Sequence, residues 1–322
     1  MPKNLIISIL LFALSAFACS SPTDTGYPEP FDVPVEDIVA FSARIEEEDG
    51  DYHWRLVLMD FNDKSNYKIL NPDSVNFYGI RFSPGKDKIL FNGEGSITIF
   101  DAYPQFFIYR INNNSIEPLQ RKVHEDIYPI HGAYPVWFND ESGFYFWSFS
   151  WSIVISKIFY YEFEENYSQL LDTGDYGVRV LGVMKDDSII AFNRGSGMHL
   201  FDKNGNYVSK IVNYNLDRFC SNSIDYGEYG SYLNVDWHSG TERFVIADST
   251  IAITDINNSI YISFEETFSN DYAPVWGPNS ESILFLRGTT GIVMHIDTET
   301  GNVTEYLHPD DIGAMRILSL DY

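Results

Sequence analysis

The chain has 322 residues, with 46 Asp and Glu against 21 Lys and Arg, and its formal net charge is −25. This excess of acids argues against a nucleic-acid backbone as the partner, and against adhesion of the folded domain to anionic lipid heads, because both need clustered cations. It suits solubility, and cationic ligands or divalent ions as binding partners. The 24 Phe and 22 Tyr residues are expected to pack between sheets in an all-β protein.

The first 18 residues are typical of an export signal. Lys3 supplies positive charge, an apolar run covers 5–17, and Ala16-Phe17-Ala18 is a small-residue cleavage site before Cys19. A permanent membrane helix would need roughly 20 apolar residues. The cysteine after the cleavage site resembles a bacterial lipobox, although Ala16 stands where leucine is usual. The resemblance implies that Cys19 becomes the acylated N-terminus, which leaves Cys220 without a disulfide partner. An ordinary secretory signal is the alternative.

Residues 19–36 are predicted to form a flexible tether. Their prolines, serines and acids favour extended backbone and cannot bury a core. Ser20, rather than Asp, follows Cys19. By the same resemblance, this implies an outer-membrane lipid anchor with the domain facing the periplasm, if the cell is Gram-negative. The four prolines of this segment are Pro22, Pro28, Pro30 and Pro34.

One short pattern recurs five times along the rest of the chain. It consists of a large apolar residue, a polar turn and a short apolar strand, and two further β-rich segments follow each copy. A repeat of this length, with turn chemistry at a fixed place, predicts a radial array of four-stranded blades. The copies begin at Phe82, Trp137, Val183, Trp237 and Trp276.

The two ends of the repeat region predict a sixth blade. Apolar segments at 38–41, 56–60 and 67–70 match the last three strands of a set, and 315–320 matches a first strand. Pairing them closes the ring and hides the strand edges. The sequence therefore predicts one all-β domain over 37–322, a six-bladed β-propeller of four-stranded antiparallel blades that is closed by pairing of its N- and C-terminal strands.

The repeats resemble those of TolB-type propellers. The resemblance rests on the run Phe82-Ser83-Pro84-Gly85 and on strands that end in Asp, such as Phe201-Asp202 and Ile296-Asp297. Ser-Pro is intact only in the first copy, and the copy at Val183 has lost its aromatic residue. The resemblance covers 37–322 and implies the fold alone, because propellers host many functions.

Catalytic and metal-binding motifs are weak. Gly195-Ser196-Gly197 lacks the Gly-x-Ser-x-Gly spacing of a nucleophile elbow and indicates a hairpin turn. His124 and His131 share an acidic loop that could hold a metal, but a solvated polar loop is the favoured interpretation. The Asp-rich turns at 60–63 and 202–206 do not fit the twelve-residue calcium loop. We therefore predict no catalytic residue, no metal and no cofactor.

The connections between blades carry a second pattern. In a propeller they emerge on one face, and here all six contain carboxylates while five contain tyrosine. Tyrosine provides rigid area and hydrogen bonds at binding surfaces, whereas the alternative is that these loops are simply polar. The predicted ligand-binding face, called the acidic face below, comprises Asp73, Tyr78, Asp126, Tyr128, Tyr134, Asp175, Tyr176, Asp225, Tyr226, Asp271, Tyr272 and Asp310.

These patterns favour a lipid-anchored cell-envelope propeller that binds a protein or peptide without catalysis, or that serves as a scaffold in an envelope complex. The alternative is a metal-dependent polysaccharide lyase or another glycan-active propeller enzyme. Histidines that converge on the channel would favour the enzyme, and a stable co-purifying partner would favour the binding module.

Overall fold

A computed structural model describes residues 31–47, 50–70, 77–93, 105–123, 126–129, 132–150, 155–164, 167–171, 178–193, 197–211, 234–257 and 259–322. The predicted signal, Cys19 and the tether up to residue 30 lie outside this part, so they stay predictions. In the part described, no helix is long and apolar enough to cross a membrane.

The described residues form six four-stranded antiparallel sheets and one hairpin. The chain begins with β1 (Ile38–Glu46), β2 (Tyr52–Asp60) and β3 (Tyr67–Leu70). Blade 1 contains β4 (Phe77–Phe82), β5 (Lys88–Gly93), β6 (Gln105–Arg110) and β7 (Ser115–Pro118). The hairpin of β8 (Gln120–Val123) and β9 (Asp126–Pro129) follows. Blade 2 contains β10 (Ala133–Trp137), β11 (Gly143–Ser150), β12 (Ile155–Glu162) and β13 (Tyr167–Leu171).

The remaining blades repeat this arrangement. Blade 3 contains β14 (Val178–Val183), β15 (Ile189–Asn193), β16 (Gly197–Phe201) and β17 (Tyr207–Ile211). Blade 4 contains β18 (Val235–His238), β19 (Arg243–Ala247), β20 (Ile251–Asp255) and β21 (Tyr261–Ser263). Blade 5 contains β22 (Asp271–Trp276), β23 (Ser282–Arg287), β24 (Ile292–Asp297) and β25 (Val303–Leu307). The last strand, β26 (Ala314–Asp321), pairs with β1 and completes the closing blade, in the order β26-β1-β2-β3.

The first strands of neighbouring blades contact one another in an unbroken ring, from β4 through β10, β14, β18 and β22 to β26 and back to β4. These six inner strands line the channel. In the closing blade, Phe41 pairs with Leu320 and Ala40 with Asp321, although nearly the whole chain lies between them. The predicted six-bladed propeller, closed by its terminal strands, is confirmed.

The polar turn of the repeat is similar in five blades, although in blade 4 the left-handed residue comes one position later. In five blades, a backbone N–H donates to the carbonyl of the residue after the large apolar residue, as Lys86 does to Ser83 at 2.8 Å and Asp187 to Met184 at 3.0 Å. A residue in the left-handed region then turns the chain into the second strand. These residues are Lys86, Glu141, Asp187, Glu242 and Ser280, with φ between 54° and 64°.

Phenylalanines fill the space between blades. Phe77 and Phe91 lie 4.4 Å apart between ring centroids, and Phe91 stacks on Phe107 at 5.5 Å. All three belong to a buried cluster that also takes Ile38 and Leu56 from the closing blade. Aromatic pairs at these distances add to the free energy of burial, so the abundance of aromatic residues is explained by inter-blade packing.

The segment before β1 is packed against the propeller. Val33 is buried in the same cluster, and Phe31 and Val35 pack against its edge. A short 3-10 helix, Val35–Asp37, leads into β1. The last residues of the predicted tether, 31–36, are therefore fixed beside the closing blade.

Candidate functional site

The inner strands of all six blades end around one cavity of about 710 Å³. The last residues of these strands and the turns after them form its wall, together with Val35, Glu36 and Asp37. Because the six strands end here, they begin at the opposite end of the channel, where the connections between blades lie. The described residues of the predicted acidic face are therefore at the other end of the ring from the cavity.

Three tryptophans of the repeat line the cavity and are fixed in place by neighbouring blades. Trp137 Nε1 donates to the Arg81 carbonyl at 3.2 Å, and Trp237 Nε1 donates to the Val183 carbonyl at 3.1 Å. The indole of Trp276 packs against the His238 ring, with centroids 5.8 Å apart. These indoles join the blades and give the cavity a rigid apolar wall.

Gly182 is required by this arrangement. A Cβ atom at Gly182 would overlap the indole of Trp237, which occupies that space. The missing side chain in blade 3 therefore lets the tryptophan of blade 4 reach the inner strand of its neighbour.

The residues one position before the large apolar residue of each repeat form a ring around the channel. Three of them are apolar or small and three are charged. Five of the six line the cavity, namely Arg81, Val136, Gly182, Asp236 and Asp321, whereas Val275 is buried in the core.

Asp321 is the most constrained carboxylate of this ring. Its Oδ2 accepts the backbone N–H of Phe82 at 2.6 Å, and its Oδ1 lies 3.4 Å from Arg81 Nη1. Burial raises the pKa of Asp321 to about 7; Arg81 opposes this rise and Asp236 adds to it. Asp321 therefore holds a proton in a large fraction of molecules near neutral pH.

Asp236 occupies the equivalent place in blade 4. Its Oδ2 accepts the backbone N–H of Trp276 at 3.0 Å, which joins blade 4 to blade 5. Burial raises the pKa of Asp236 as well, and Arg81 again opposes the rise. The positive charge of Arg81 thus favours the ionised forms of both Asp236 and Asp321.

The rim of the cavity carries further charges. Lys86 Nζ lies 3.0 Å above the centroid of the Tyr322 ring, and the Tyr322 hydroxyl donates to the Glu36 carbonyl. Burial lowers the pKa of Lys86 to about 8, while Asp321, Asp37 and Glu36 oppose this. Lys86 is therefore partly neutral at mildly alkaline pH.

Ser280 and His238 form a contact that resembles half of a catalytic triad. Ser280 Oγ lies 2.8 Å from His238 Nε2. The Thr241 backbone N–H donates to His238 Nδ1 at 3.1 Å, which assigns the proton of the neutral imidazole to Nε2. A general base for serine needs a lone pair at the nitrogen that faces it. Nε2 instead donates to Ser280, so the pair is a hydrogen bond between blades 4 and 5.

Burial lowers the pKa of His238, mainly by disfavouring its charged form. The imidazole is accordingly neutral at physiological pH. In the part of the chain that the structure describes, no group of three His, Cys, Asp or Glu is placed to hold a metal ion.

The residues of the acidic face have different environments. Tyr78 and Asp271 are buried, and Asp271 binds Arg287 through both oxygens, at 2.7 and 2.9 Å. Tyr272 is partly buried against the core, whereas the side chain of Asp310 is 84% exposed.

The backbones of three more of these residues lie in strands, those of Asp126 and Tyr128 in β9 and that of Tyr134 in β10. The others fall outside the described residues: Asp73, Asp175, Tyr176, Asp225 and Tyr226.

Sequence reasoning overlooked the cavity residues, although the sequence contains a signal for them. Asp236 directly precedes Trp237, and Asp321 precedes Tyr322, which takes the place of the repeat's large residue in the closing blade. Aligning the repeats would have shown Arg81, Asp236 and Asp321 at one position, which is apolar or glycine in the other blades. In this propeller, all three charged side chains at that position line the cavity.

Comparison with solved structures gives the same architecture. TolB from Acinetobacter baumannii matches with a TM-score of 0.61 and 13% identity, over 92% of this chain and 68% of that chain. The fold is that of a TolB-like six-bladed propeller. A TolB structure from Agrobacterium tumefaciens matches with a TM-score of 0.53 and 12% identity, over 75% and 84% of the two chains.

A solved structure that is not a TolB protein also matches. A chain in the nidogen–laminin complex matches with a TM-score of 0.58 and 10% identity, over 88% of this chain and 97% of that chain. No protein-family model matches the sequence, and no curated protein matches it. At these identities the likeness establishes the TolB-like fold, and function has to be argued from the site.

Proposed function

We propose that this TolB-like propeller is a non-catalytic protein- or peptide-binding module of the cell envelope, and that the channel cavity is a docking site. The cavity carries the proposal. Its volume of about 710 Å³ lies within the range of ligand sites, and it combines an apolar wall with a few placed charges. Fixed tryptophans are typical anchors for a partner because they lose little side-chain entropy on binding.

One of the comparisons supports a protein partner. One similar propeller comes from a complex between two proteins, nidogen and laminin. The acidic face remains the second proposed surface of this chain. With a cavity at one end of the ring and acidic loops at the other, the propeller could hold two partners at once, which is what a scaffold requires.

The proposed lipid anchor places the cavity near a membrane. The described chain starts at Phe31, and Val35, Glu36 and Asp37 line the cavity. A fully extended tether from Cys19 to residue 30 would span at most about 40 Å. An acylated Cys19 would thus keep the cavity end of the channel within about 40 Å of the lipid surface, in the periplasm of a Gram-negative cell.

Site-specific cross-linking in cells tests the cavity directly. A photo-reactive amino acid at Ser239, in the cavity wall, should give discrete cross-linked species that contain one recurring protein. The matched control carries the same amino acid at Ser209, exposed on the outer strand of blade 3. Identical products from both positions would contradict a docking site in the cavity.

The acidic face needs its own test. Replacing Asp126, Asp225 and Asp310 together by Asn should weaken capture of a partner that binds there, most strongly at low salt. If capture is unchanged at every salt concentration, this face has no role in binding.

One observation keeps the glycan-active alternative open. Asp321 has a pKa raised to about 7, which suits a general acid, and it lies in a cavity lined by tryptophan. Incubation of the protein with acidic and neutral oligosaccharides, with and without added divalent cations, discriminates the two functions. If the parent protein cleaves an oligosaccharide and Asp321→Asn abolishes this activity, the protein is a glycan-active enzyme and the binding proposal is wrong.

A further inference from the structure

The described charges of the cavity do not balance. Its wall contains four carboxylates and two cationic side chains, while His238 is neutral. The carboxylates belong to Glu36, Asp37, Asp236 and Asp321, and the cations belong to Arg81 and Lys86. With all four carboxylates ionised, a ligand that enters this space meets a net negative environment; because burial raises the pKa of Asp236 and of Asp321, this charge develops as these two groups lose their protons.

Deep in the channel, the two carboxylates Asp236 and Asp321 stand against one cation, Arg81. Arg81 lies within ion-pair distance of Asp321. Among the described ion pairs, none involves Asp236, whose hydrogen bonds come from the backbone N–H groups of Trp237 and Trp276. An Asn would keep an oxygen that can accept the Trp276 bond. The Arg81 guanidinium favours the ionised form of Asp236, but its ion pair is with Asp321, so a second cation would complete the pairing of Asp236.

The wall around these carboxylates suits an organic cation. Trp137, Trp237 and Trp276 surround the same space. The aliphatic stem of a lysine or arginine packs well on such surfaces, and its charged end is attracted to indole faces. A bare metal ion would gain nothing from the indoles, and the described residues place no third ligand beside the two carboxylates.

We propose that the channel cavity takes a lysine or arginine side chain of the partner, with its cationic end between Asp236 and Asp321. This proposal rests on the proposed function and adds the chemistry of the group that is recognised. The rim carboxylates Glu36 and Asp37 attract the cation to the mouth, and the tryptophans hold its stem.

Binding of such a cation is coupled to protons. The groups that face Asp321 are Arg81, Asp236 and Lys86, with Glu36, Asp37, His238 and Tyr322 around the same cavity. A cation between the carboxylates favours their ionised forms. Binding near pH 6 should therefore release protons, and affinity should rise between pH 5.5 and 8. Lys86 also loses its positive charge near pH 8, which removes repulsion of the bound cation and raises the affinity further.

The test uses short capped peptides as probes: Ala-Ala-Lys-Ala-Ala, its arginine analogue, and matched peptides with acetyl-lysine or norleucine. Tryptophan fluorescence and calorimetry follow binding to the full mature chain. We expect the lysine and arginine peptides to bind at least tenfold more tightly than the two neutral peptides. Calorimetry in buffers of different ionisation enthalpy should show proton release at pH 6.

Two variants complete the test. Asp236→Asn keeps the acceptor for the Trp276 N–H and should lower the affinity for the lysine peptide at least tenfold, without loss of the folded state by circular dichroism. Glu299→Gln, on an exposed turn outside the cavity, should have no effect. If Asp236→Asn fails to fold, Asp321→Asn, which keeps an acceptor for the Phe82 N–H, takes its place and should also lower the affinity for the lysine peptide at least tenfold.

Equal affinity for lysine and acetyl-lysine peptides would overturn the proposal, as would unchanged binding by a folded Asp236→Asn variant. Binding of calcium ions without binding of the lysine peptide would assign the carboxylates to a metal and would also overturn it. Cross-linking from position 239 that survives Asp236→Asn would leave the docking function in place while removing the cationic specificity.

Discussion

The backbone N–H of Phe82 donates to Asp321 Oδ2 at 2.6 Å, although 239 residues separate the two in sequence. The bond fastens the inner strand of blade 1 to the inner strand of the closing blade. Asp236 makes the same bond to the backbone of Trp276, between blades 4 and 5. In both places a carboxylate joins neighbouring blades and also faces the cavity. Each of these two residues therefore contributes both to closure of the ring and to the candidate site.

Asp321 should make stability depend on pH. Its pKa rises from the ordinary 3.8 to about 7 in the folded state, so the folded protein binds a proton more tightly than the unfolded chain. The stability contribution is complete below about pH 4 and is lost as pH rises through 7. The difference of about three pKa units corresponds to an upper limit on the order of 4 kcal/mol.

Asp321→Asn removes this titration but keeps an acceptor for the Phe82 N–H. Between pH 5 and 8, the free energy of unfolding of the variant should therefore rise relative to that of the parent. Urea unfolding at a series of pH values measures the difference. Parallel profiles for the two proteins would show that Asp321 ionises normally in the fold.

Closure of the ring should control global stability. Leu320 is 1% exposed and pairs with Phe41, whereas Met315 on the same strand is 51% exposed. Leu320→Ala should lower the free energy of unfolding by about 2–5 kcal/mol, because a buried side chain is lost and a cavity remains. Met315→Ala is the matched control and should change stability by less than about 0.5 kcal/mol. Equal melting temperatures for the two variants would contradict the role of β26 as the closing strand.

Much of the fold follows from the sequence because the repeat encodes one local structure. The turns after Phe82, Trp137 and Trp276 have the same backbone hydrogen bond, and each has a residue in the left-handed conformation at the same position. Turn chemistry at a fixed distance from an apolar strand is a local signal, so the sequence displays it directly. The pairing of 315–320 with β1 followed from the need to hide strand edges.

The candidate site was harder to predict because it depends on which end of the channel carries a cavity and on which side chains face it. The acidic loops were prominent by composition, but composition does not distinguish a buried Asp271 from an exposed Asp310. The cavity, in contrast, depends on single residues such as Asp236 and Gly182, whose roles emerge only when neighbouring blades are placed side by side. The hairpin of β8 and β9, between blades 1 and 2, was also not predicted.

Asp271 should matter for folding. Its side chain is fully buried and binds Arg287 through both oxygens, and Arg287 also donates to the Glu266 carbonyl at 3.0 Å. Asp271→Asn removes the charge that holds the guanidinium and should cost about 1–3 kcal/mol in the free energy of unfolding.

Arg287→Lys should cost a similar amount, because an ammonium group cannot make the two parallel bonds. Asp310→Asn, on an exposed side chain, is the control and should be neutral within about 0.5 kcal/mol. Thermal melts of the three variants check the ranking. If Asp271→Asn were as stable as Asp310→Asn, Asp271 would be free to act in binding at the acidic face.

Lipidation of Cys19 is the prediction that determines whether the cavity is held near a membrane. A buried acyl chain contributes about 0.8 kcal/mol per CH₂, so two or more chains anchor a protein stably and one does not. Cys19→Ala should leave the precursor uncleaved or release the protein into the soluble fraction, which fractionation and mass spectrometry of the mature N-terminus would detect. Ser21→Ala is the control and should remain with the membrane. If Cys19→Ala is processed normally and stays in the membrane fraction, the propeller has no lipid anchor at this residue, and the proposed limit of about 40 Å between cavity and membrane no longer applies.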